Sequence, residues 1–277
     1  MKCRGFKYEV GKEYEMDGEI RCCNRGFHAC KSPIEVWDYY DMLNSRFAEV
    51  EQSGKIDEEE MSTKICSSRI KIKAELKLAD IINIGVEWLK DITSPSKVKA
   101  DGVLNDNGYR RKQIGSSGNY AKIGSSGDSA KIGSSGDYAQ IGSSGNYAKI
   151  GSSGDSAKIG SSGNYAQIGS SGYYAQIGSS GNYAQIGSSG DSAKIGSSGY
   201  YAQIDSTGED SVIMCAGNES KAKAKVGSWI TLAEWKWSDE KNRNVPVCVK
   251  TEYVDGENIK ADTWYQLKNG KFVEVNE

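Results

Sequence analysis

From Ile114 to Ile204 an isoleucine falls at every ninth position, and from Ile123 onward each is preceded by Lys or Gln and, before that, by Ala. The unit reads Ile-Gly-Ser-Ser-Gly-(Asn/Asp/Tyr)-(Tyr/Ser)-Ala-(Lys/Gln), ten times over residues 114–203, with two decayed copies from Ile204 and Ile213. A stretch such as Tyr120-Ala121-Lys122-Ile123 alternates polar and apolar, which predicts a short half-buried strand. Gly-Ser-Ser-Gly supplies the turn, since Gly tolerates positive φ and close backbone approach. A flexible Gly/Ser linker is excluded, because a linker has no reason to keep Ile in phase. The flanks read differently. Leu78, Ile81, Ile82, Gly85, Leu89 and Ile92 share one face of a helix, and Ser32-Pro33-Ile34-Glu35 has the N-cap, N1 proline and N3 glutamate of a second helix start. Strands are predicted at 47–50, 69–76, 226–235 and 245–254, and Asn269-Gly270 is suited to the tight turn of a hairpin over 265–275.

Fixed-period similarity of this fidelity predicts a repeat architecture. Nine residues extend about 30 Å at most, too little for a closed coil with a filled interior. Two units per coil is the simplest solution, with Ile and Ala inside a parallel β-solenoid; three per coil, a triangular prism, is the alternative. The fold class is therefore mixed: an α+β domain (1–104), a nonapeptide-repeat solenoid (105–221) and a β-hairpin-rich C-terminal module (222–277) that caps it. With two units per coil, Tyr147, Tyr165, Tyr183 and Tyr201 stack in a ladder about 4.8 Å apart, with Lys131, Lys149 and the glutamines that follow them alongside. These are the candidate binding residues, since tyrosine is enriched at protein interfaces. Asp128 with Lys131, Asp155 with Lys158 and Asp191 with Lys194 keep each rung near neutral.

Composition and charge narrow the functions. The repeats hold 20 of the 33 Gly and 9 of the 16 Tyr. A net charge of −2 speaks against an electrostatic nucleic-acid binder. No apolar run is long enough for a membrane span, and the opening Met-Lys-Cys-Arg-Gly-Phe lacks the apolar core of a secretory signal, so a cytoplasmic setting is expected. Calcium is disfavoured because the acidic slot is Asp in only four of the ten units. A DNA mimic would need a continuous acidic row, and an ice-binding face would favour Thr.

Seven cysteines are an odd number and suggest no disulfide framework. Cys3, Cys23, His28 and Cys30 are zinc candidates by type, but no CxxC knuckle is present and adjacent Cys22 and Cys23 would point opposite ways on a strand. The reading is free thiols, with no metal and no cofactor. No Gly-x-Ser-x-Gly elbow, P-loop or dinucleotide-binding glycine motif occurs.

Cys-Arg-Gly-Phe (3–6), Gly-Lys-Glu-Tyr (11–14), Gly-Phe-His-Ala-Cys (26–30), Tyr39-Tyr40 and Glu49-Val-Glu51-x-Ser-Gly54 resemble an uncharacterised domain family of tailed phages and gut Firmicutes, often followed by Gly/Ser/Ala-rich repeats. The resemblance implies a phage or prophage accessory protein and carries no activity. The decayed units from Thr207 to Ala224 are similar to the β-roll repeats in heads of trimeric autotransporter adhesins, which implies a homotrimer. Arg4, with Glu49 and Glu51, resembles the Arg and Glu-x-Glu of mono-ADP-ribosyltransferases, but the Ser-Thr-Ser segment of that family is missing and the glutamates follow the predicted helix too soon. The expectation is a non-enzymatic scaffold acting on a protein partner, such as a host defence protein, or on copies of itself; an ADP-ribosyltransferase-like enzyme is the alternative.

Overall fold

The computed structural model describes residues 1–3, 5–59, 63–92, 103–106 and 113–276. The chain forms two compact units, Met1–Gly85 and Val86–Glu277.

In the first unit Lys64–Leu76 is the central strand. Phe47–Glu58 pairs antiparallel along one edge, and Phe27–Cys30 and Glu13–Glu15 follow one another along the other. Both long strands exceed the predicted spans; in Lys64–Leu76 the alternation breaks where Cys66, Ser67 and Ser68 are buried in succession. The helix expected from Ser32 is instead a 3-10 helix, Pro33–Asp38, and Ser32 makes no side-chain cap bond. The capping box fails because a residue distant in sequence takes its glutamate. The buried Glu35 carboxylate accepts hydrogen bonds from the backbone N–H and the hydroxyl of Thr63, so it is not free to cap the chain end. The helix Leu78–Ile92 has the predicted bounds. Ile81, Ile82, Val86 and Leu89 are buried, whereas Ile92, placed on that face by its spacing, is 42% exposed.

The second unit is a parallel β-solenoid with two nonapeptides per coil. Each strand pairs with the strand 18 residues on, Ile132 beside Ile150 and Ile141 beside Ile159, so alternate units build two sheets of nine strands. The first sheet carries Ile114, Ile132, Ile150, Ile168, Ile186 and Ile204; the second carries Ile123, Ile141, Ile159, Ile177 and Ile195. The strand within each unit is Lys/Gln-Ile-Gly-Ser rather than the predicted Tyr-Ala-Lys-Ile. Ile and the first Ser therefore point inward, and Lys or Gln and the first Gly point outward. The core is Ile, Ala and a row of buried Ser: Ser134, Ser152, Ser170 and Ser188 are fully buried, and their hydroxyls meet no partner among the described residues.

The turn also differs from expectation. Positive φ belongs to the Tyr/Ser position, 57° at Tyr147 and 58° at Tyr165, not to the glycines. This conformation serves stacking, because the Tyr165 N–H donates to the Asn182 carbonyl in the next coil (2.8 Å). The second glycine of each unit has another role. A Cβ at Gly163 would lie 2.5 Å from the carbonyl carbon of Gly145 one coil earlier, so only Gly permits the coils to close up.

The solenoid continues past the decayed units, through Lys221–Ala224 in the first sheet and Trp229–Leu232 in the second. Both sheets then end in antiparallel strands. Arg243–Tyr253 pairs with Trp229–Ser238, and the hairpin Tyr265–Lys268 with Lys271–Glu274 joins Lys221–Ala224. Asn269 and Gly270 both have positive φ, as the predicted turn requires. Open parallel edges are covered at this end, which blocks strand addition there.

Candidate functional site

The tyrosine ladder forms, but at a corner of the coil and not on a sheet face. Tyr147, Tyr165, Tyr183 and Tyr201 stack at 4.9–5.0 Å with nearly parallel rings, each roughly half exposed. The opposite corner has a shorter stack, Tyr120 on Tyr138 at 5.1 Å. Tyr165 and Tyr183 are each stacked on both sides, so these inner rings present mainly their edges and hydroxyls to solvent. Beside the tyrosines runs a ladder of short polar side chains. Asn146 Oδ1 accepts the Asn164 N–H and Asn164 Oδ1 accepts the Asn182 N–H; at the other corner Asp137 Oδ1 accepts the Asp155 N–H. Asp128, Asp155 and Asp191, expected to balance lysines, likewise use Oδ1 on a backbone N–H one coil on.

Lys131 and Lys149 need correction. They do not form an exposed row, being 7% and 3% exposed. On this first sheet the outward glycines are buried too: a Cβ at Gly133 would meet the Leu89 side chain at 2.9 Å and the Val86 Cα at 3.4 Å. The equivalent surface of the second sheet is open. Nothing lies within 4 Å of a Cβ built on Gly142, Gly160, Gly178 or Gly196. Lys122, Gln140, Lys158, Gln176 and Lys194 are exposed along it and, with the glycines, border a shallow groove of about 660 Å³. Lys122, Lys158 and Lys194 have no ion-pair partner among the described residues.

A second set of chemical groups lies in the first unit. The proposed zinc quartet is not assembled there. Cys3 Sγ is 3.0 Å from the Tyr40 hydroxyl, and Cys23 Sγ accepts from the Lys64 ammonium at 2.8 Å, which raises the lysine pKa. Cys30 is half-buried. Among the described residues only His28 of the four joins a cluster, and its companions are Cys22 and Cys66: their ligand atoms lie within 4.8 Å of one another. Cys22 and Cys23 sit in a turn, with φ 65° at Cys23, so the opposed-strand expectation does not hold. Cys66 is fully buried, and burial followed by its contact with Cys22 pushes its thiol pKa up to about 12. No disulfide joins any two cysteines among the described residues. Cys66 was missed because the sequence alone does not fix which residue of Lys64–Leu76 faces His28, and Cys22 because adjacent cysteines on a strand would point opposite ways, whereas these two lie in a turn.

Arg4 lies outside the described residues. Glu49 and Glu51 are exposed on Phe47–Glu58, and Glu51 pairs with Lys73 at 2.5 Å, which lowers its pKa. Among the described residues no helix is long and apolar enough to cross a membrane.

Residues 1–84 match the family model of a domain of unknown function (DUF7666). No curated protein and no solved structure matches the chain.

Proposed function

We propose that the chain is a non-catalytic binding scaffold that holds a protein partner along the outer surface of its second sheet. One observation carries this reading: the same repeated surface is covered on one sheet and open on the other. On the first sheet the glycine floor accepts Leu89, a side chain from an amphipathic helix. On the second sheet an equivalent floor continues over four coils with exposed lysines at every second rung. A rung spacing of about 4.8 Å places Lys122, Lys158 and Lys194 about two rungs apart, which suits an apolar helix with acidic flanks. A floor of glycine lets such a helix approach closely, and unpaired ammonium groups select its charge.

The probe is a synthetic peptide of residues 78–92, which carries the Val86/Leu89 stripe and a net negative charge. Fluorescence anisotropy with the full chain is expected to show salt-sensitive binding, weakened at least tenfold by Gly160→Trp and by Lys158→Glu. Absence of binding, or binding indifferent to both variants, overturns the proposal. That the natural partner is a host protein met by a phage-type accessory protein, in the cytoplasm, is the finer form of the reading and rests on the resemblance of residues 3–54 alone.

Self-association is a second form, favoured by the exposed tyrosine corner. Sedimentation should then show a trimer that Tyr183→Asn dissociates; a monomer at all concentrations removes it.

A further inference from the structure

We propose that Cys22, His28 and Cys66 bind one zinc ion. The site is built by strand register. His28 is directly opposite Cys66 across one strand pair, and Asp57 is directly opposite Cys66 across the next. Residues paired in this way share a face of the sheet, so imidazole, thiol and carboxylate form one transverse row over three strands. The turn that follows Arg21 folds back at the end of this row and brings in the second thiol. It is held there by Asp57, whose Oδ2 accepts the Cys22 N–H at 2.7 Å and whose carbonyl accepts the Cys22 thiol at 3.1 Å. Asp57 is thus a positioning residue.

Two sulfurs and one imidazole nitrogen within 4.8 Å of one another need small movements to reach zinc at roughly 2.3 Å and 2.0 Å. Soft thiolates with imidazole in a four-coordinate arrangement suit zinc above the hard divalent ions. Three protein ligands leave a fourth position for water, the pattern of a reactive zinc site rather than a closed structural one. The His28 lone pair that now accepts the Cys23 N–H at 3.1 Å turns to the metal, and that N–H, on an exposed residue, passes to water. On binding, two thiols ionise, the neutral imidazole gives its lone pair, and each ion bound releases two protons.

This site lies in the first unit and is independent of the scaffold proposal. The test uses the full chain, reduced and stripped with a chelator, then titrated with cobalt(II) as a spectroscopic stand-in and with zinc. One equivalent of cobalt should produce a thiolate charge-transfer band and tetrahedral d–d bands, with two protons released in weak buffer; zinc should abolish the bands. His28→Gln, an exposed position chosen because it leaves the buried sheet intact, and Cys22→Ser should each weaken binding by about 100-fold or more, beyond the 10–100-fold of lost outer-shell partners. Cys23→Ser and Cys30→Ser should leave it unchanged. The proposal is overturned by absence of the charge-transfer band, by a band that survives both His28→Gln and Cys22→Ser, by its loss in Cys23→Ser or Cys30→Ser instead, or by a Cys22–Cys66 disulfide in the metal-free protein as purified.

Discussion

Two glycines three residues apart in one repeat should respond oppositely to the same added methyl group. At Gly163 a Cβ would overlap the Gly145 carbonyl oxygen and sit 2.5 Å from its carbon, where ordinary contact begins near 3.4 Å, so the coils must separate by at least about 0.9 Å. The interactions nearest Gly163 that bridge those coils include Asn164 N–H to Asn146 Oδ1 (2.9 Å), Tyr147 N–H to Asn164 O (2.9 Å) and the Tyr147–Tyr165 ring stack (5.0 Å). Separation on that scale takes both hydrogen bonds beyond useful length. At about 0.5–1.5 kcal/mol for each bond and about the same for the stack, Gly163→Ala should cost about 1.5–4.5 kcal/mol. At Gly160 nothing lies within 4 Å, and Ala there restricts the unfolded chain, so Gly160→Ala should stabilise by about 0.4–1 kcal/mol. Urea unfolding followed by far-ultraviolet circular dichroism reads both. Hydrogen exchange over 140–170 shows whether the loss is local, as expected where each coil touches only its neighbours. If Gly163→Ala stays within about 0.5 kcal/mol of the native chain, or if both variants lose stability alike, the account of coil closure is wrong.

Further predictions concern the corner and the cap. Tyr183→Val should cost more than Tyr183→Asn in urea unfolding. Both lose the stacks on Tyr165 and Tyr201, about 1–3 kcal/mol together, but Val must also adopt φ 57°, which adds about 1–3 kcal/mol of strain. Equal losses would show that the left-handed backbone is not strained. Asp205, buried beside Lys223 at 3.1 Å, has its pKa raised by burial in spite of the lysine. A raised folded-state pKa means that the native chain binds this proton more tightly, so the contribution is complete below the ordinary carboxylate pKa of about 3.9 and is lost as pH rises through the elevated value. Asp205→Asn should therefore gain stability over the native chain at pH 7 and gain less at pH 4; a larger gain at pH 4 would refute the sign.

The periodicities that survive contact with the structure are those that rest on burial alone. The Ile repeat predicts two units per coil because the interior must close, and Leu78–Ile92 is legible because its apolar positions recur at the helical period. What was hidden depends on neighbours distant in sequence. The strand is displaced within the unit because alternation around Ile fits either side equally, and the choice is made by the Tyr N–H bonding a carbonyl 17 residues ahead. An aromatic residue with positive φ contradicts local preference, and only stacked coils supply the compensation. The inward Ser row reads as turn material in sequence. Lys131 and Lys149 are spelled like Lys122 and Lys158, so nothing local distinguishes the covered sheet from the open one. The cluster of Cys22, His28 and Cys66 depends on a register set across 38 residues between His28 and Cys66.

The two-sheet pairing makes length a quantity with parity. Adding or deleting a whole coil, 18 residues, lengthens or shortens the stack by about 4.8 Å and returns every later residue to its own sheet. Adding or deleting one nonapeptide would exchange the sheets for everything downstream: Asp205 and Lys223 would move to the other sheet, and the strand met by Arg243–Tyr253 would trade places with the one met by the 265–274 hairpin. Tandem repeats expand and contract readily during replication, so related chains should differ in unit number by even steps, and an odd step should appear only together with a rebuilt end.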